Sequence, residues 1–274
     1  MYAVIAIHFG GIYAKIKMCH QKNGEVGMDE RYHAHAGLSI MGETGQQRLA
    51  GKRVLCIGAG GLGSVALFIL AGSGIGTIGV LDGDRVSLGN LNRQFLYRME
   101  DIGAPKAGTA IQALKRLNPT LAYTAFNTML DGDNALPIIQ EYDLVMSAVD
   151  NLHTRLIINQ ACGAADVPLV NGGVNGLKGM VQLVRYGISG CLSCMYGDAP
   201  QVLEAPVSFP PVVSVISSMM AQCAIAYLLT GEDPLDGCIA YYDGASLSLR
   251  HIPTKPAAGC PVCAGHQQKP HLAP

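Results

Sequence analysis

The sequence feature that most constrains this chain is a glycine-rich turn, Gly-Ala-Gly-Gly-Leu-Gly at residues 58–63, between an apolar run and a helical pattern. Residues 53–58 resemble a buried strand, residues 62–71 a helix and residues 77–82 a second strand. This order predicts a βαβ unit. In such a unit the glycines allow a close approach of the backbone to a phosphate at the helix N-terminus, although they would also suit simple helix–strand packing.

The rest of the chain continues the alternation of helix and strand. Residues 106–117 show helical spacing that ends at Asn118-Pro119, and residues 143–148 form another apolar strand pattern. This alternation predicts an α/β fold with a Rossmann-like, doubly wound and mostly parallel sheet. Residues 180–186 alternate with a period of two, which suggests an exposed or edge strand. The C-terminal third is therefore predicted to be a mixed or antiparallel extension of the sheet.

Composition argues against several functional classes. The chain of 274 residues has a formal net charge of −1 and 14% charged residues, so it lacks the basic field typical of nucleic-acid or anionic-membrane binding. Residues 212–229 are uncharged, but their serines and a glutamine favour a buried helix over a membrane span. The opening residues lack the basic segment of a signal peptide. We therefore expect a cytoplasmic, globular protein.

Four of the nine cysteines form two Cys-x-x-Cys pairs, Cys191 with Cys194 and Cys260 with Cys263. Because no signal peptide directs the chain to an oxidising compartment, this spacing favours metal binding over disulfides. Four thiolates satisfy a tetrahedral zinc ion and leave no open coordination position, which predicts a structural zinc knuckle. Unmetallated surface thiols are the alternative interpretation.

Charged residues follow several of the predicted strands. Asp82 ends the second strand, where a carboxylate can accept hydrogen bonds from ribose hydroxyls, so a dinucleotide site remains open. Arg93, Lys106 and Asp150 are expected at the carboxyl edge of the same sheet, where open α/β folds bind ligands. A guanidinium and an ammonium suit a triphosphate, and a carboxylate suits its magnesium ion. Alternatively, Arg93 and Asp150 could form an ordinary ion pair.

Several motifs occur in an order that is typical of one family. They are Arg31-Tyr32, residues 42–49, residues 58–63, Asp82-Gly83-Asp84, residues 90–94, Pro105-Lys106, Asn118-Pro119, Asp150-Asn151 and the two cysteine pairs. With these motifs the chain resembles the ThiF/MoeB/HesA family, which is related to ubiquitin-activating enzymes, over residues 31–266. The resemblance implies a homodimeric, ATP-dependent adenylyltransferase and assigns a structural role to the zinc knuckle.

The resemblance also implies a nucleotide-binding set. Its members are Gly58, Gly60, Gly61, Gly63, Asp82, Asp84, Asn90, Arg93, Gln94, Lys106, Asp150 and Asn151. By the same resemblance, Gly61 and Asp82 would hold the adenosine end, and Asn90 would join Arg93 at the phosphates.

The implied reaction is attack by a carboxylate on the α-phosphorus of ATP, which releases pyrophosphate and leaves an acyl-adenylate. A C-terminal carboxyl has a pKa of about 3.5 and is ionised at neutral pH, so no general base is needed. Catalysis then depends on alignment and on neutralising the phosphate charge. By the resemblance, Arg93, Lys106 and a magnesium ion held by Asp150 are the catalytic groups.

The sequence departs from the family pattern in two places. Ala34 stands where many relatives carry an arginine that reaches the ATP site of the partner subunit. Loss of such a contact costs about 2–4 kcal/mol of transition-state stabilisation unless Arg31 substitutes. Residues 201–211 lack the cysteine with which several relatives form a thioester or persulfide. The chain is therefore expected to stop at the acyl-adenylate.

The favoured substrate is the Gly-Gly tail of a small ubiquitin-like sulfur-carrier protein, with a sulfur donor acting afterwards. A family member that adenylates a peptide, a tRNA modification or a small carboxylate is the alternative. An NAD-dependent oxidoreductase, or a nucleotide-binding scaffold with weakened catalysis, is more remote.

The predicted organisation is a flexible extension at residues 1–27, one adenylylating domain at residues 28–266 and a tail at residues 267–274. Within the domain, the ATP-binding part would span about residues 50–170, and the part with the mixed sheet and the zinc about residues 171–266.

Overall fold

The computed structural model describes residues 29–35, 37–197 and 207–266. The predicted extension and tail lie outside the described residues. The strands are β1 (Arg53–Ile57), β2 (Thr77–Leu81), β3 (Ala122–Phe126), β4 (Leu144–Ser147), β5 (Leu169–Asn175), β6 (Lys178–Val184), β7 (Cys238–Asp243) and β8 (Ser248–Pro253). The helices are α1 (Gly42–Ala50), α2 (Gly61–Ser73), α3 (Lys106–Leu117), α4 (Ala135–Ile139), α5 (Leu152–Ala165), α6 (Leu192–Tyr196) and α7 (Pro210–Thr230).

All eight strands form one sheet in the order β3-β2-β1-β4-β5-β6-β7-β8. The first five strands of this order are parallel, and β6, β7 and β8 extend the sheet by antiparallel pairing. The predicted α/β fold with a mostly parallel, doubly wound sheet and a mixed C-terminal part is therefore confirmed. β2 and β4 flank β1 on opposite sides. The order in which successive strands are added to the sheet therefore reverses beside β1. A crevice is expected there at the carboxyl ends of the strands.

The prediction of an exposed or edge strand at residues 180–186 is wrong. β6 lies between β5 and β7, and residues 181–184 are buried. The alternation was misleading because Gln182, a polar residue of the pattern, is itself fully buried. Its Nε2 donates to the carbonyl oxygen of Gly190 at 2.7 Å, so a hydrogen bond within the core replaces water.

The long apolar helix α7 is a core helix, as predicted. It is long and apolar enough to cross a membrane, yet 61% of its most apolar window is buried inside the protein. It packs against α2, β5 and β6. Glycines permit this close approach, because a Cβ at Gly172 would lie 2.1 Å from the sulfur of Met220.

Candidate functional site

The glycine-rich turn has a backbone that only glycine fits at two positions. Gly58 has a φ of +94°, and a Cβ there would lie 2.7 Å from the carbonyl oxygen of Ala148, just after the neighbouring strand β4. A Cβ at Gly63 would lie 1.9 Å from the carbonyl oxygen of Gly58. The turn therefore folds back tightly on itself and allows α2 to begin at Gly61, whose N-terminus faces the crevice beside β1.

A cavity of about 340 Å³ lies at this crevice. The members of the predicted nucleotide-binding set that line it are Gly58, Gly60, Gly61, Asp82, Asp84, Arg93, Gln94, Lys106, Asp150 and Asn151. Gly63 and Asn90 do not line it. Gly63 serves the packing of the turn, and Asn90 accepts a hydrogen bond from the backbone N–H of Ser87 at 3.1 Å through its side-chain oxygen. The structure thus gathers most of the predicted residues around one cavity.

Asp82 braces the glycine-rich turn. Its Oδ2 accepts from the backbone N–H of Ala59 at 2.7 Å, and its Oδ1 accepts from that of Asp84 at 2.8 Å. The hydroxyl of Tyr97 donates to the carbonyl oxygen of Ala59 at 2.8 Å from the opposite side. Burial, and then the charge of Asp82, raises the pKa of Tyr97, so this hydroxyl keeps its proton. The turn is fixed before any ligand arrives.

Lys106 and Asp84 form an ion pair at the floor of the cavity. The ammonium nitrogen lies 2.9 Å from Asp84 Oδ2, and the side chain of Lys106 is 7% exposed while that of Asp84 is 62% exposed. Lys106 is the first residue of α3, so the helix fixes its backbone. The arrangement presents a buried ammonium whose only ionic partner among the described residues is a solvated carboxylate.

Arg93 and Asp150 make no ion pair with each other in the part of the chain that the structure describes. Nη1 of Arg93 donates instead to the carbonyl oxygen of Gly89 at 3.0 Å and to Asn92 Oδ1 at 2.9 Å. Within the described ranges, the carboxylate of Asp150 accepts no hydrogen bond. Gln94 is 4% exposed, and its Oε1 has no described partner. The cavity therefore holds an unengaged carboxylate and an unsatisfied amide oxygen.

The turn between β4 and α5 places the last two predicted residues. Asn151 is the N-cap of α5, because its Oδ1 accepts from the backbone N–H of Thr154 at 2.8 Å. Further residues that sequence reasoning missed also line the cavity. They are Thr128, Met129, Leu130, Thr154, Arg155, Val174, Ser208 and Val213. Only Arg155 had a signal in the sequence, as the single Asp, Glu, Lys or Arg in the helix at residues 152–165.

The four cysteines of the two pairs meet in one cluster. Their sulfur atoms all lie within 4.8 Å of one another, with Cys191 3.7 Å from both Cys194 and Cys260. Cys194 and Cys263 are 3.6 Å apart. Zinc–sulfur bonds of about 2.3 Å in a tetrahedron require sulfur–sulfur distances of about 3.8 Å. The cluster therefore fits a structural zinc ion and joins α6 to the C-terminal segment.

The protein around the cluster already favours a thiolate at one position. Burial raises the pKa of Cys191 and Cys263. At Cys260 burial acts in the same direction, but hydrogen bonds from the backbone of Cys263 and the thiol of Cys194 outweigh it and lower the pKa to about 7. Asn159 of α5 donates from Nδ2 to the sulfur of Cys191 at 3.6 Å. Such outer contacts orient metal ligands.

The segment before α1 contains the position where the family pattern has a further arginine. Ala34 lies in a short 3-10 helix, Glu30–His35. In the same helix, Nη1 of Arg31 donates to the carbonyl oxygen of Leu117 at 2.8 Å. Arg31 thus contacts the C-terminus of α3 within its own chain, where a cation complements the helix dipole.

Known proteins are similar to this chain over most of its length. The sequence matches the model of the ThiF family over residues 32–262. It is 38% identical to the sulfur carrier protein adenylyltransferase of Thermus thermophilus over 245 residues, which cover 85% of this chain and 90% of that protein. It is 37% identical to the molybdopterin-synthase adenylyltransferase of Escherichia coli over 238 residues, which cover 85% and 95%.

A solved structure shows the same fold. The structure of E. coli MccB with MccA-N7isoASN has a TM-score of 0.76 at 22% identity, and the match covers 86% of this chain and 75% of that chain.

Proposed function

This chain belongs to the ThiF family, and from that premise we propose that it adenylates the C-terminal carboxylate of a ubiquitin-like sulfur-carrier protein with ATP and releases pyrophosphate. It is an enzyme, an adenylyltransferase. Relatives named as sulfur carrier protein adenylyltransferase and as sulfur carrier protein ThiS adenylyltransferase, 38% and 36% identical, support a carrier protein over a free peptide or small carboxylate as the substrate.

The observation that carries the proposal is the convergence of Arg93, Lys106 and Asp150 on one cavity beside the glycine-rich turn. The N-terminus of α2 and two cations make one end of this cavity suitable for a polyphosphate. Asp150 supplies a carboxylate without a hydrogen-bond or ion-pair partner among the described residues. A free carboxylate is the kind of ligand that magnesium takes beside substrate phosphates.

In the proposed reaction the chain's own residues bind and align. Asp82 would keep the glycine-rich turn closed beneath the nucleotide, and Arg93 and Lys106 would neutralise charge that spreads over the phosphates as pyrophosphate leaves. Asp150 would hold magnesium, which shields phosphate charge when bound. The attacking carboxylate needs no base, because it is already ionised at neutral pH.

The lysine need not leave Asp84 for this role. The carboxylate of Asp84 is more than half exposed, so it neutralises Lys106 only weakly and leaves its charge available to an incoming phosphate. Gln94 offers an unsatisfied acceptor to a ribose hydroxyl or to a magnesium-bound water.

Further parts of the proposal follow from family membership. We propose a cytoplasmic homodimer whose product, the acyl-adenylate, passes to a separate sulfur donor. A structural zinc ion would occupy the four-cysteine cluster, and residues 28–266 would act as one adenylylating domain. The absence of a cysteine in residues 201–211 supports release at the acyl-adenylate stage.

Carrier-dependent exchange of pyrophosphate into ATP tests the proposal, with several purified ubiquitin-like carriers. We expect exchange only with a carrier that ends in Gly-Gly. Asp150→Ala and Arg93→Ala should abolish exchange while the melting temperature stays within a few degrees of wild type. Wild-type exchange in both variants would refute the assigned roles, and enhanced nicotinamide fluorescence without exchange would favour an oxidoreductase.

A further inference from the structure

Arg155 lies at the wall of the cavity, on the first turn of α5, and its hydrogen-bond partners in the described part of the chain are all neutral. Its Nη1 donates to Asn171 Oδ1 at 2.5 Å and to the carbonyl oxygen of Gly172 at 2.6 Å. Its Nη2 donates to the carbonyl oxygen of Val149. Three neutral acceptors thus hold one guanidinium, whose planar fork can bond several acceptors at once.

These acceptors lie on β5 and just beyond the end of β4, at the point where the two strands separate. The paired register of β4 and β5 ends with Ser147 opposite Asn171. Beyond that pair the two backbones make room for the cavity. Arg155 contacts the carbonyl of Val149 on one side and that of Gly172 on the other. It therefore continues the connection between β4 and β5 after the strand pairing has stopped.

The hydrogen bond from Arg155 affects the position of Asp150, because Val149 immediately precedes it. A hydrogen bond to the carbonyl of Val149 fixes the peptide plane that leads into Asp150 and so fixes the direction in which this residue leaves the strand. The carboxylate itself accepts no hydrogen bond from the described residues. The orientation of Asp150 therefore depends on its backbone, and Arg155 is the side chain that holds this backbone against β5.

We propose that Arg155 is a positioning residue for Asp150. It keeps the carboxylate of Asp150 directed into the cavity, where the carboxylate can bind a divalent cation. This inference rests on the proposed function of the site, in which Asp150 is the magnesium ligand. In this role Arg155 acts through Asp150.

The test compares magnesium dependence in Arg155→Lys and in wild type. Lysine keeps the charge, but its single ammonium nitrogen lacks the planar fork with which arginine reaches acceptors on both sides at once. We expect the magnesium concentration for half-maximal exchange to rise about 10- to 100-fold, as for other residues that orient metal ligands. The affinity for ATP, measured by calorimetry with a magnesium chelator present, should differ from that of wild type by less than about twofold. Without magnesium, Asp150 contributes nothing to ATP binding, so its orientation no longer matters.

A matched control and a second variant make the test decisive. Arg48→Lys removes an arginine bond to a carbonyl, that of Leu229 at 3.1 Å, far from the cavity, and should leave the magnesium midpoint unchanged. Asn171→Ala removes one acceptor of Arg155 but keeps both carbonyls, so a smaller shift in the same direction is expected.

A purely structural arginine would give a different result. Exchange would then fall in proportion to the loss of folded protein, with the magnesium midpoint of wild type, and this outcome would overturn the inference. Magnesium dependence of ATP binding, measured by calorimetry, provides the same comparison if wild type shows no exchange with any carrier. The failure of the proposed function and the failure of the positioning role are thus distinguishable.

Discussion

Replacing Asp84 by asparagine should reveal whether the nucleotide phosphates take over the neutralisation of Lys106. The pair is 2.9 Å apart, and its lysine is 7% exposed while its aspartate is 62% exposed. Coulomb's law gives about 1.4 kcal/mol for two charges at this distance in water, and several times more in a buried site. Because the aspartate is mostly solvated, the value near the aqueous limit applies, and we expect a loss of about 1–2 kcal/mol.

The loss of stability in Asp84→Asn should depend on whether ATP is bound. Without ATP, Asp84→Asn should lower the melting temperature by about 2–8 °C, at the usual 2–4 °C per kcal/mol for a domain of this size. With saturating ATP a phosphate would replace the missing charge, so ATP should raise the melting temperature more in the variant than in wild type.

Differential scanning fluorimetry with and without ATP measures both effects. Glu141→Gln is the matched control, because it removes an ion pair with Arg53 at 3.5 Å in which both side chains are about half exposed. It should cost less than about 1 kcal/mol and leave the ATP-induced shift unchanged. Equal ATP-induced shifts in Asp84→Asn and wild type would refute the view that phosphates approach Lys106.

Three further predictions concern stability and metal. Gly63→Ala should lower the free energy of unfolding, measured by chemical denaturation, by about 1–3 kcal/mol, because its methyl group would meet the carbonyl of Gly58. A denaturation midpoint equal to that of wild type would contradict the tight turn. A zinc chelator should release zinc detectable with a chromogenic dye and lower the melting temperature, as should Cys260→Ala; unchanged melting after complete release would argue against a structural role. Asn159→Leu should weaken zinc affinity about tenfold in a chelator competition, and an unaltered affinity would show that its bond to Cys191 is dispensable.

The sequence allowed prediction of those features that depend on local pattern. The strand, glycine turn and helix at β1 and α2 follow from periodicity and from glycine, both of which act over a few residues. Lys106 and Asp150 could then be assigned to one edge, because parallel strands end on the same side of a sheet. The cysteine cluster was equally predictable, since its spacing reflects the geometry of a tetrahedral ion.

Side-chain direction and strand neighbours were not predictable in the same way. β6 was expected to be exposed or at an edge because its residues alternate with a period of two, yet Gln182 is buried and its Nε2 donates to the carbonyl of Gly190 in the core. Asn90 matches the family motif, but in this chain its side chain bonds the backbone of Ser87. Each of these contacts depends on how segments pack in three dimensions, and periodicity carries no information about that.

Helix α5 shows why the missed residues matter. Its first turn carries Asn151 as the cap and Arg155 as the bond to β5, and both determine how the chain turns at Asp150. One turn later, Asn159 contacts the sulfur of Cys191. A residue and its neighbour four positions on lie on the same face of a helix, so one rigid element contacts both the nucleotide cavity and the cysteine cluster. The geometry of the β4–α5 turn therefore depends on α5 being held at both places, by hydrogen bonds to β5 and by packing beside the cluster.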